Sequence, residues 1–230
     1  ANFLSLLCDP ELPVGPVALS DQDDVWLPNR LTVGLSGLDR AHPMVSAAHT
    51  LETDAALRPT RRKPRRLPRP SFHNALVQNI LAGNTLTLNG PALVALRHGG
   101  VAHVPFHDWW VYLLVTGAGG RVLHDDTPTL LYRQHAGNQI GANDHFRARC
   151  KRIRQLLRGD FRDWNARNIA ALTASAHRLT TENRRLLEQF AAMRRAPLPA
   201  RLWQLSRLRL YRQSRPAQVA LWLAAVLGRL

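Results

Sequence analysis

The chain has 230 residues, of which 45% are hydrophobic, so it can bury the core of one large domain or of a domain with an appendage. Its two cysteines, Cys8 and Cys150, are far apart and lack metal-ligand spacing, which argues against a disulfide framework and favours a reducing compartment. No apolar run reaches the roughly 18–20 residues that a membrane span needs, and no signal peptide is visible.

The charge is unevenly distributed along the chain. The net charge is +15, yet residues 1–145 hold 12 Lys and Arg against 12 Asp and Glu. Residues 146–230 hold 19 Lys and Arg against 4 Asp and Glu. The sequence therefore predicts a neutral body over residues 1–145 and a basic extension over residues 146–230.

The first predicted element leads into a cluster of acidic residues. The apolar run at residues 17–19 predicts a buried strand, and Asp21, Asp23 and Asp24 follow at its carboxyl end. This is the end at which α/β sheets bind ligands. Further along, seven basic residues and three prolines within residues 58–69 predict a mobile loop.

The remaining elements are predicted from apolar periodicity and from breaks at Gly and Pro. Helices are expected over residues 72–81, from residue 91 to 96 and over residues 107–115, and strands over residues 85–89, 121–123 and 129–132. From about residue 144 onward the pattern is helical and rich in Arg, with a break at Pro197 and Pro199.

The acidic cluster has the composition of a metal site. Three carboxylates within four positions repel one another, and the apolar neighbours make them harder to hydrate, so a cation would stabilise them. Ligands that are all oxygen suit Mg²⁺ or Mn²⁺, which in turn suit a diphosphate. A solvated turn or a helix cap is the alternative interpretation.

A second group of polar and aromatic residues, His107-Asp108-Trp109-Trp110, opens the helix expected over residues 107–115. Asp108 suits an N-cap as well as a catalytic role. Trp109 and Trp110 suit the core as well as a ligand platform. His135, further along, is either a ligand or an ordinary polar loop residue.

Four segments, taken in order, resemble family 2 glycosyltransferases, in particular a branch that includes rhamnosyltransferases of bacterial surface polysaccharides. The segments are residues 19–31 (LSDQDDVWLPNRL), 79–85 (NILAGNT), 107–110 (HDWW) and 132–141 (YRQHAGNQIG). In that branch a Cys commonly stands in the place of Asn84. The order and spacing of the segments agree over roughly residues 1–142.

The resemblance implies an α/β fold, a GT-A-like mixed sheet flanked by helices, and metal-dependent inverting transfer of a sugar from a nucleotide-sugar. It implies that Asp21 and Asp23 form an Asp-x-Asp element that binds the Mg²⁺ or Mn²⁺ ion and the donor, and that Asp108 is the general base. It further implies that Arg133 and His135 contact the donor and that His135 also binds the metal ion. The residues implied to contact the acceptor are Gly83, Thr85, Trp109 and Trp110.

Members of the family begin with strands that bind the nucleotide base, and these would precede the acidic cluster. We therefore expect residues 1–145 to form an N-terminally incomplete GT-A catalytic domain. Residues 146–230 are expected to form a basic α-helical C-terminal extension. The sequence does not identify the donor sugar, and rhamnose rests on the resemblance alone.

The basic extension predicts a second surface. Trp203 and several Leu residues alternate with Arg residues over residues 201–215, a pattern that suits an anionic membrane surface. We expect a cytoplasmic protein, peripheral on the inner face of the cell membrane, that acts on a glycan or lipid-linked acceptor. The alternative is a helical extension that packs on the catalytic domain or on a partner.

Two other functions remain open from sequence. The basic extension and residues 58–69 would supply phosphate contacts in a nucleic-acid-binding protein, although no nucleic-acid motif accompanies the charge and the acidic cluster would repel phosphates. A metal-dependent phosphohydrolase would use the same carboxylates. DNA binding that survives Asp23→Asn would favour the first, and release of phosphate or sugar without an acceptor would favour the second.

Overall fold

The computed structural model describes residues 2–59, 69–133, 154–155 and 158–230 of a mixed α/β protein. The described strands form one mixed five-stranded sheet in the order β1-β4-β3-β5-β2. Their bounds are β1 Val17–Ala18, β2 Val25–Trp26, β3 Met44–Thr53, β4 Thr87–Leu88 and β5 Arg121–Arg133. The described α-helices are α1 Asn2–Leu7, α2 Arg30–Leu35, α3 Phe72–Ala75, α4 Gly90–His98, α5 His107–Gly117, α6 Asp160–Ala174, α7 Thr181–Arg195, α8 Leu198–Arg207 and α9 Arg215–Val226.

The longest pairing in the sheet joins β3 and β5 in parallel, and the other three pairings are antiparallel. A parallel pair needs a long crossover connection. Here the crossover between residues 53 and 121 contains α3, β4, α4 and α5. The two strands predicted over residues 121–123 and 129–132 are in fact one strand, β5, which is interrupted by a register shift rather than by a loop.

The short strands β1 and β2 lie at opposite edges of the sheet. Residues 19–24 join them, so this segment crosses the end of the sheet. Because β1, β3 and β5 run in the same direction, the crossing segment lies at their carboxyl ends. The strand predicted at residues 17–19 is present as β1, Val17–Ala18, but it is a half-buried edge strand rather than a buried one. The acidic residues follow it at the end of the sheet where ligands bind in α/β proteins.

Two helix predictions are confirmed, and both helices begin as local chemistry dictates. The side chain of Asn89 accepts a hydrogen bond from the amide of Ala92 and so caps α4, with Pro91 in the first turn. Helix α5 extends from His107 to Gly117 and is buried from Trp109 to its end. A helix that is apolar on all sides belongs in a core, which is where α5 lies.

Two other predictions are wrong in detail. The helix expected over residues 72–81 ends at Ala75, and the side chain of Asn79 accepts a hydrogen bond from the amide of Leu81 in a local turn. Such a turn competes with helical hydrogen bonding. The strand expected over residues 85–89 is a 3₁₀ turn, Gly83–Thr85, followed by β4.

The C-terminal helices share one hydrophobic core with the rest of the described protein. Leu172 of α6 and Phe190 and Met193 of α7 are buried in the same cluster as Trp110 and Leu114 of α5. The break predicted at Pro197 and Pro199 is present between α7 and α8. The helices therefore pack on the body of the protein, and the expected boundary at residue 145 lies outside the described residues.

Within the part of the chain that the structure describes, no helix is both long enough and apolar enough to span a bilayer. Most of the loop predicted over residues 58–69 lies outside the described residues, as does Cys150.

Candidate functional site: an acidic loop beside the start of helix α5

The acidic loop, which we define as residues 19–24, holds three half-buried carboxylates, Asp21, Asp23 and Asp24. The side-chain amide of Asn84 donates a hydrogen bond of 2.5 Å to Oδ2 of Asp24. Oδ1 of Asp24 is buried and accepts no hydrogen bond from the described residues. A buried carboxylate oxygen without a donor is costly, so this atom is suited to a cation or a ligand donor.

The pKa of Asp24 is raised above its ordinary value. Burial is the largest cause, and the negative charges of Asp21 and Asp23 add to it, whereas the hydrogen bond from Asn84 opposes it. The loop thus holds more negative charge than its own surroundings compensate. This is the electrostatic situation that a divalent cation relieves.

The loop is electrostatically coupled to the start of helix α5. Burial raises the pKa of Asp21, and the charges of Asp23 and Asp108 raise it further, whereas His107 lowers it. The two sequence segments that carry Asp21 and Asp108 are separated by more than eighty residues, yet their charges act on each other. Contacts join the two segments, because Asn84 donates to Asp24 of the loop and the neighbouring Gly83 lies against His107 and Asp108.

Asp108 lies in the first turn of α5, after Phe106 in the N-cap position. Its Oδ1 accepts a hydrogen bond of 2.8 Å from the amide of Trp109. Burial raises the pKa of Asp108, while His107, the amide of Trp109 and the side chain of Asn79 lower it. The interpretation of Asp108 as an N-cap is thus wrong in position, and its carboxylate is held by two neighbours in a partly buried site.

Gly83 allows the close approach of two segments. A Cβ atom at Gly83 would lie 2.7 Å from Nε2 of His107 and 3.5 Å from Cβ of Asp108. The ring of His107 stacks on Phe3, with centroids 4.3 Å apart, and its Nε2 is buried without a hydrogen-bond partner among the described residues. Burial lowers the pKa of His107, although Asp108 and Asp21 oppose this.

Three residues predicted to contact the acceptor lie in the core. Trp109 and Trp110 are 2% and 0% exposed, and the indole N–H of Trp109 donates to the carbonyl of Ala75 over 2.7 Å. Thr85 is fully buried and donates to the carbonyl of Ala82. Because none of them offers a surface to a sugar, their predicted acceptor contacts are not retained, and only Gly83 of the predicted acceptor residues borders the site.

The predicted donor residue Arg133 ends strand β5 beside the acidic loop. Its Nε donates to the carbonyl of Asp23 over 3.3 Å, and its Nη1 donates to the carbonyl of Ala55 over 2.9 Å. The guanidinium therefore adds a positive charge next to the loop. His135, the other predicted donor and metal residue, lies outside the described residues.

Sequence reasoning missed Arg30, which is only 1% exposed. Its guanidinium donates to the carbonyls of Leu19, Asn84 and Leu86 and to the hydroxyl of Thr87. It thereby ties the start of the acidic loop to the segment that carries Asn84. Arg30 belongs to the segment 19–31 that resembles glycosyltransferases, but nothing in the pattern signals that this charge is buried.

Comparison with known proteins gives one informative similarity. No protein-family model matches the chain, and no solved structure matches it. An alignment over 161 residues, which covers 66% of the chain, gives 25% identity to the dTDP-rhamnosyl transferase RfbG of Shigella flexneri. The chain spans about half the length of this relative, 54%. At this low identity, the chain is similar to a glycosyltransferase.

Proposed function

We propose that this protein transfers a sugar from a nucleotide-sugar to a hydroxyl of a glycan or lipid-linked acceptor. The observation that carries the proposal is geometric: Asn84 donates to Asp24 of the acidic loop, and the neighbouring Gly83 lies against His107 and Asp108 at the start of α5. The similarity to a dTDP-rhamnosyl transferase supports a sugar nucleotide as the donor and makes dTDP-rhamnose the first donor to test.

The residues of the acidic loop fit a divalent cation. Mg²⁺ is commonly held by one or two carboxylates together with substrate phosphates, so Asp21 and Asp23 suffice when a donor diphosphate is bound. The raised pKa of Asp24 and its unpartnered Oδ1 indicate that the loop lacks compensating positive charge. In this site Mg²⁺ or Mn²⁺ would supply stabilisation of the negative charge on the departing diphosphate.

The acceptor would be activated by Asp108. In an inverting transfer the acceptor oxygen forms a bond to the anomeric carbon as the bond from that carbon to the diphosphate oxygen breaks. The acceptor proton passes to the carboxylate of Asp108. A carboxylate whose pKa is raised by burial is a stronger base than an exposed one, and the amide of Trp109 fixes the orientation of this group.

The remaining residues would position the reactants. Arg133, which is bound to the acidic loop through the carbonyl of Asp23, would place its charge near the donor diphosphate. Gly83 leaves room for His107 beside Asp108. Arg30 and Asn84 hold the acidic loop against the sheet.

The proposal extends to the location of the acceptor. Helices α8 and α9 expose Trp203 (60%) and Leu223 (51%), and the guanidinium of Arg207 stacks over the Trp203 ring at 5.1 Å. The same two helices also expose the apolar residues Leu198, Val219 and Val226, and Leu227 is exposed directly after α9. Exposed apolar side chains on a strongly basic segment suit an anionic membrane surface, where a lipid-linked acceptor would be found.

The test of the proposed function compares the protein with its Asp108→Asn variant. Transfer of labelled rhamnose from dTDP-rhamnose to a panel of oligosaccharides and lipid-linked oligosaccharides is measured with Mn²⁺, alongside binding of the donor. Asparagine can still accept the hydrogen bond from the amide of Trp109, so we expect donor binding to be kept and transfer to fall by about 10²-fold or more.

The matched control is Asp163→Asn, which removes an exposed carboxylate from the first turn of another helix, α6. It is expected to leave both readouts unchanged. Transfer by the Asp108→Asn variant at the rate of the unchanged protein would show that Asp108 is not the base. Release of free sugar or phosphate without an acceptor would instead favour a phosphohydrolase.

A further inference from the structure

Three side chains outside the acidic site converge between strands β3 and β5. Nε2 of His49 lies 3.4 Å from Oδ1 of Asp126, and Nδ1 of His124 lies 3.7 Å from the same oxygen. The ligand atoms of the three residues all lie within 4.8 Å of one another. In the part of the chain that the structure describes, this is the group of His, Cys, Asp and Glu side chains whose atoms lie close enough to share an ion.

A local irregularity in the sheet produces this convergence. Ala48 of β3 pairs with Asp125 of β5, but the next residue, His49, pairs with Pro128. Asp126 and Thr127 therefore have no partner on β3 and form a bulge, which the amide of Thr127 closes by donating to Oδ1 of Asp125 over 2.7 Å. Bulges redirect side chains in this way and occur frequently beside functional sites.

The side chains of both histidines are largely buried. Their side chains are 15% and 12% exposed, and that of Asp126 is 65% exposed. Nε2 of His49 is buried and makes no hydrogen bond within the described residues.

We propose that His49, His124 and Asp126 bind one Zn²⁺ ion. Two imidazoles and one carboxylate are a known ligand set for zinc, with a fourth position left for water or another ligand. Metal–ligand bonds of about 2.0–2.1 Å place tetrahedral ligands roughly 3.3–3.4 Å apart. The separations of 3.4 and 3.7 Å to Asp126 are close to this edge, and all the ligand atoms lie within 4.8 Å of one another.

The bound ion would fasten the bulge of β5 to the facing residue of β3. It would use none of the residues assigned to sugar transfer, so this site stands whether or not the proposed transfer is correct. The exposure of Asp126 gives the ion a path from solvent.

The experiment is equilibrium dialysis against ZnCl₂ of the full chain without a histidine tag, with millimolar MgCl₂ present to occupy the acidic loop. Bound metal is quantified by elemental analysis. We expect one Zn²⁺ per chain, and at least a tenfold weaker affinity after His49→Gln, His124→Gln or Asp126→Asn. The matched control is His42→Gln, since His42 also lies 3.5 Å from a carboxylate, that of Asp39, but belongs to no three-ligand group among the described residues.

A second measurement needs no variant. Co²⁺ added to the unchanged protein should give the visible absorption of a four-coordinate ion, and Zn²⁺ should abolish that absorption. The proposal is overturned if the unchanged protein binds no Zn²⁺, if His49→Gln and His124→Gln bind it as tightly as the His42→Gln control, or if Co²⁺ shows only the spectrum of its aqueous ion.

Discussion

The side-chain amide of Asn84 donates its hydrogen bond to Oδ2 of Asp24, a residue sixty positions earlier in the chain. This contact joins the acidic loop to the segment that also carries Gly83, and Gly83 in turn lies against His107 beside Asp108. Three segments that are distant in sequence thus form one site through two specific contacts.

Replacement of Asp24 by Asn should stabilise the protein at neutral pH. The pKa of Asp24 in the folded protein is raised above 3.8, so the folded state binds more protons than the unfolded state at pH values just above 3.8. Stability is therefore lost as pH rises through that window, and the loss persists at neutral pH. Asp24→Asn removes this loss, and asparagine can still accept the hydrogen bond from Asn84.

Thermal unfolding between pH 4 and pH 8 measures the effect. We expect a higher Tm at pH 7 in the Asp24→Asn variant than in the unchanged protein, and no such difference near pH 4. Mg²⁺ should raise the Tm of the unchanged protein more than that of the variant. Glu188→Gln, which removes an exposed carboxylate, is the control; an equal or larger gain in that variant would show that the acidic loop is not strained by its charge.

Gly83→Ala should damage the site through a steric contact. The added methyl group would lie 2.7 Å from Nε2 of His107, so the imidazole, which stacks on Phe3 and lies beside Asp108, must shift. Overpacking of this kind costs about 1–3 kcal/mol. We expect a lower Tm and at least a tenfold loss of transfer.

Gly15→Ala is the matched control for this substitution, because nothing lies within 4 Å of a Cβ atom at that position. Chemical denaturation and the transfer assay are run on both variants. Equal behaviour of the two would contradict the close approach of Gly83 to His107.

Arg30→Met tests whether the buried guanidinium positions the acidic loop. The substitution keeps much of the side-chain volume but removes the guanidinium donor from the carbonyls of Leu19 and Asn84. A buried carbonyl that is left without a donor costs about 1–3 kcal/mol. We expect a loss of stability, and weaker Mn²⁺-dependent donor binding in the variant protein that remains folded. Arg40→Met, at an exposed position, should change neither the stability nor the donor binding. A Tm for Arg30→Met equal to that of this control would show that the guanidinium of Arg30 does not stabilise the acidic loop.

How far the sequence predicts this structure depends on the element. Helix α5 is apolar on every side, so its burial follows from composition, and β1 is followed by carboxylates as expected. Strand β3 mixes apolar and polar residues without clear alternation, so no strand is predicted there. It is held in the sheet by the two strands beside it, β4 and β5. Local propensity does not show such tertiary stabilisation.

The site was predicted in part for a similar reason. The carboxylates Asp21, Asp23 and Asp108 are chemically distinctive, so they could be singled out from the sequence, and their catalytic and metal-binding roles stay predictions. The burial of Arg30 and the bulge that gathers His49 and His124 depend on contacts between residues far apart in the chain. A basic residue in a polar segment reads as exposed unless its partners are known.

The exposed face of helices α8 and α9 should bind anionic membranes. Truncation of residues 201–230 is unsuitable as a test, because Leu205 and Leu221 belong to the core. Trp203→Ser combined with Leu223→Ser instead removes two of the large exposed apolar side chains. In co-sedimentation with phosphatidylglycerol vesicles at low salt, we expect binding by the unchanged protein and several-fold weaker binding by the double variant.

Phosphatidylcholine vesicles carry no net negative charge, so the basic helices should bind them only weakly. Salt at 0.5 M should also abolish most of the binding, because the screening length, roughly 10 Å at 0.1 M, becomes shorter as the salt concentration rises. Val101→Ser, which replaces an equally exposed apolar residue in a loop, is the control and should bind like the unchanged protein. Unchanged binding by the double variant would mean that α8 and α9 do not form the membrane surface. Binding of nucleic acid that survives Asp23→Asn, with no response to vesicles, would favour the nucleic-acid alternative.

The proposed transfer requires the acidic loop to bind a nucleotide-sugar through a divalent cation. The most direct measurement is the thermal shift of the protein and of its Asp23→Asn variant with dTDP-rhamnose and other nucleotide-sugars, each with and without Mn²⁺. We expect at least one donor to raise the Tm only when Mn²⁺ is present, and we expect Asp23→Asn to abolish the rise. No stabilisation by any donor, or an equal rise in the variant, would contradict it.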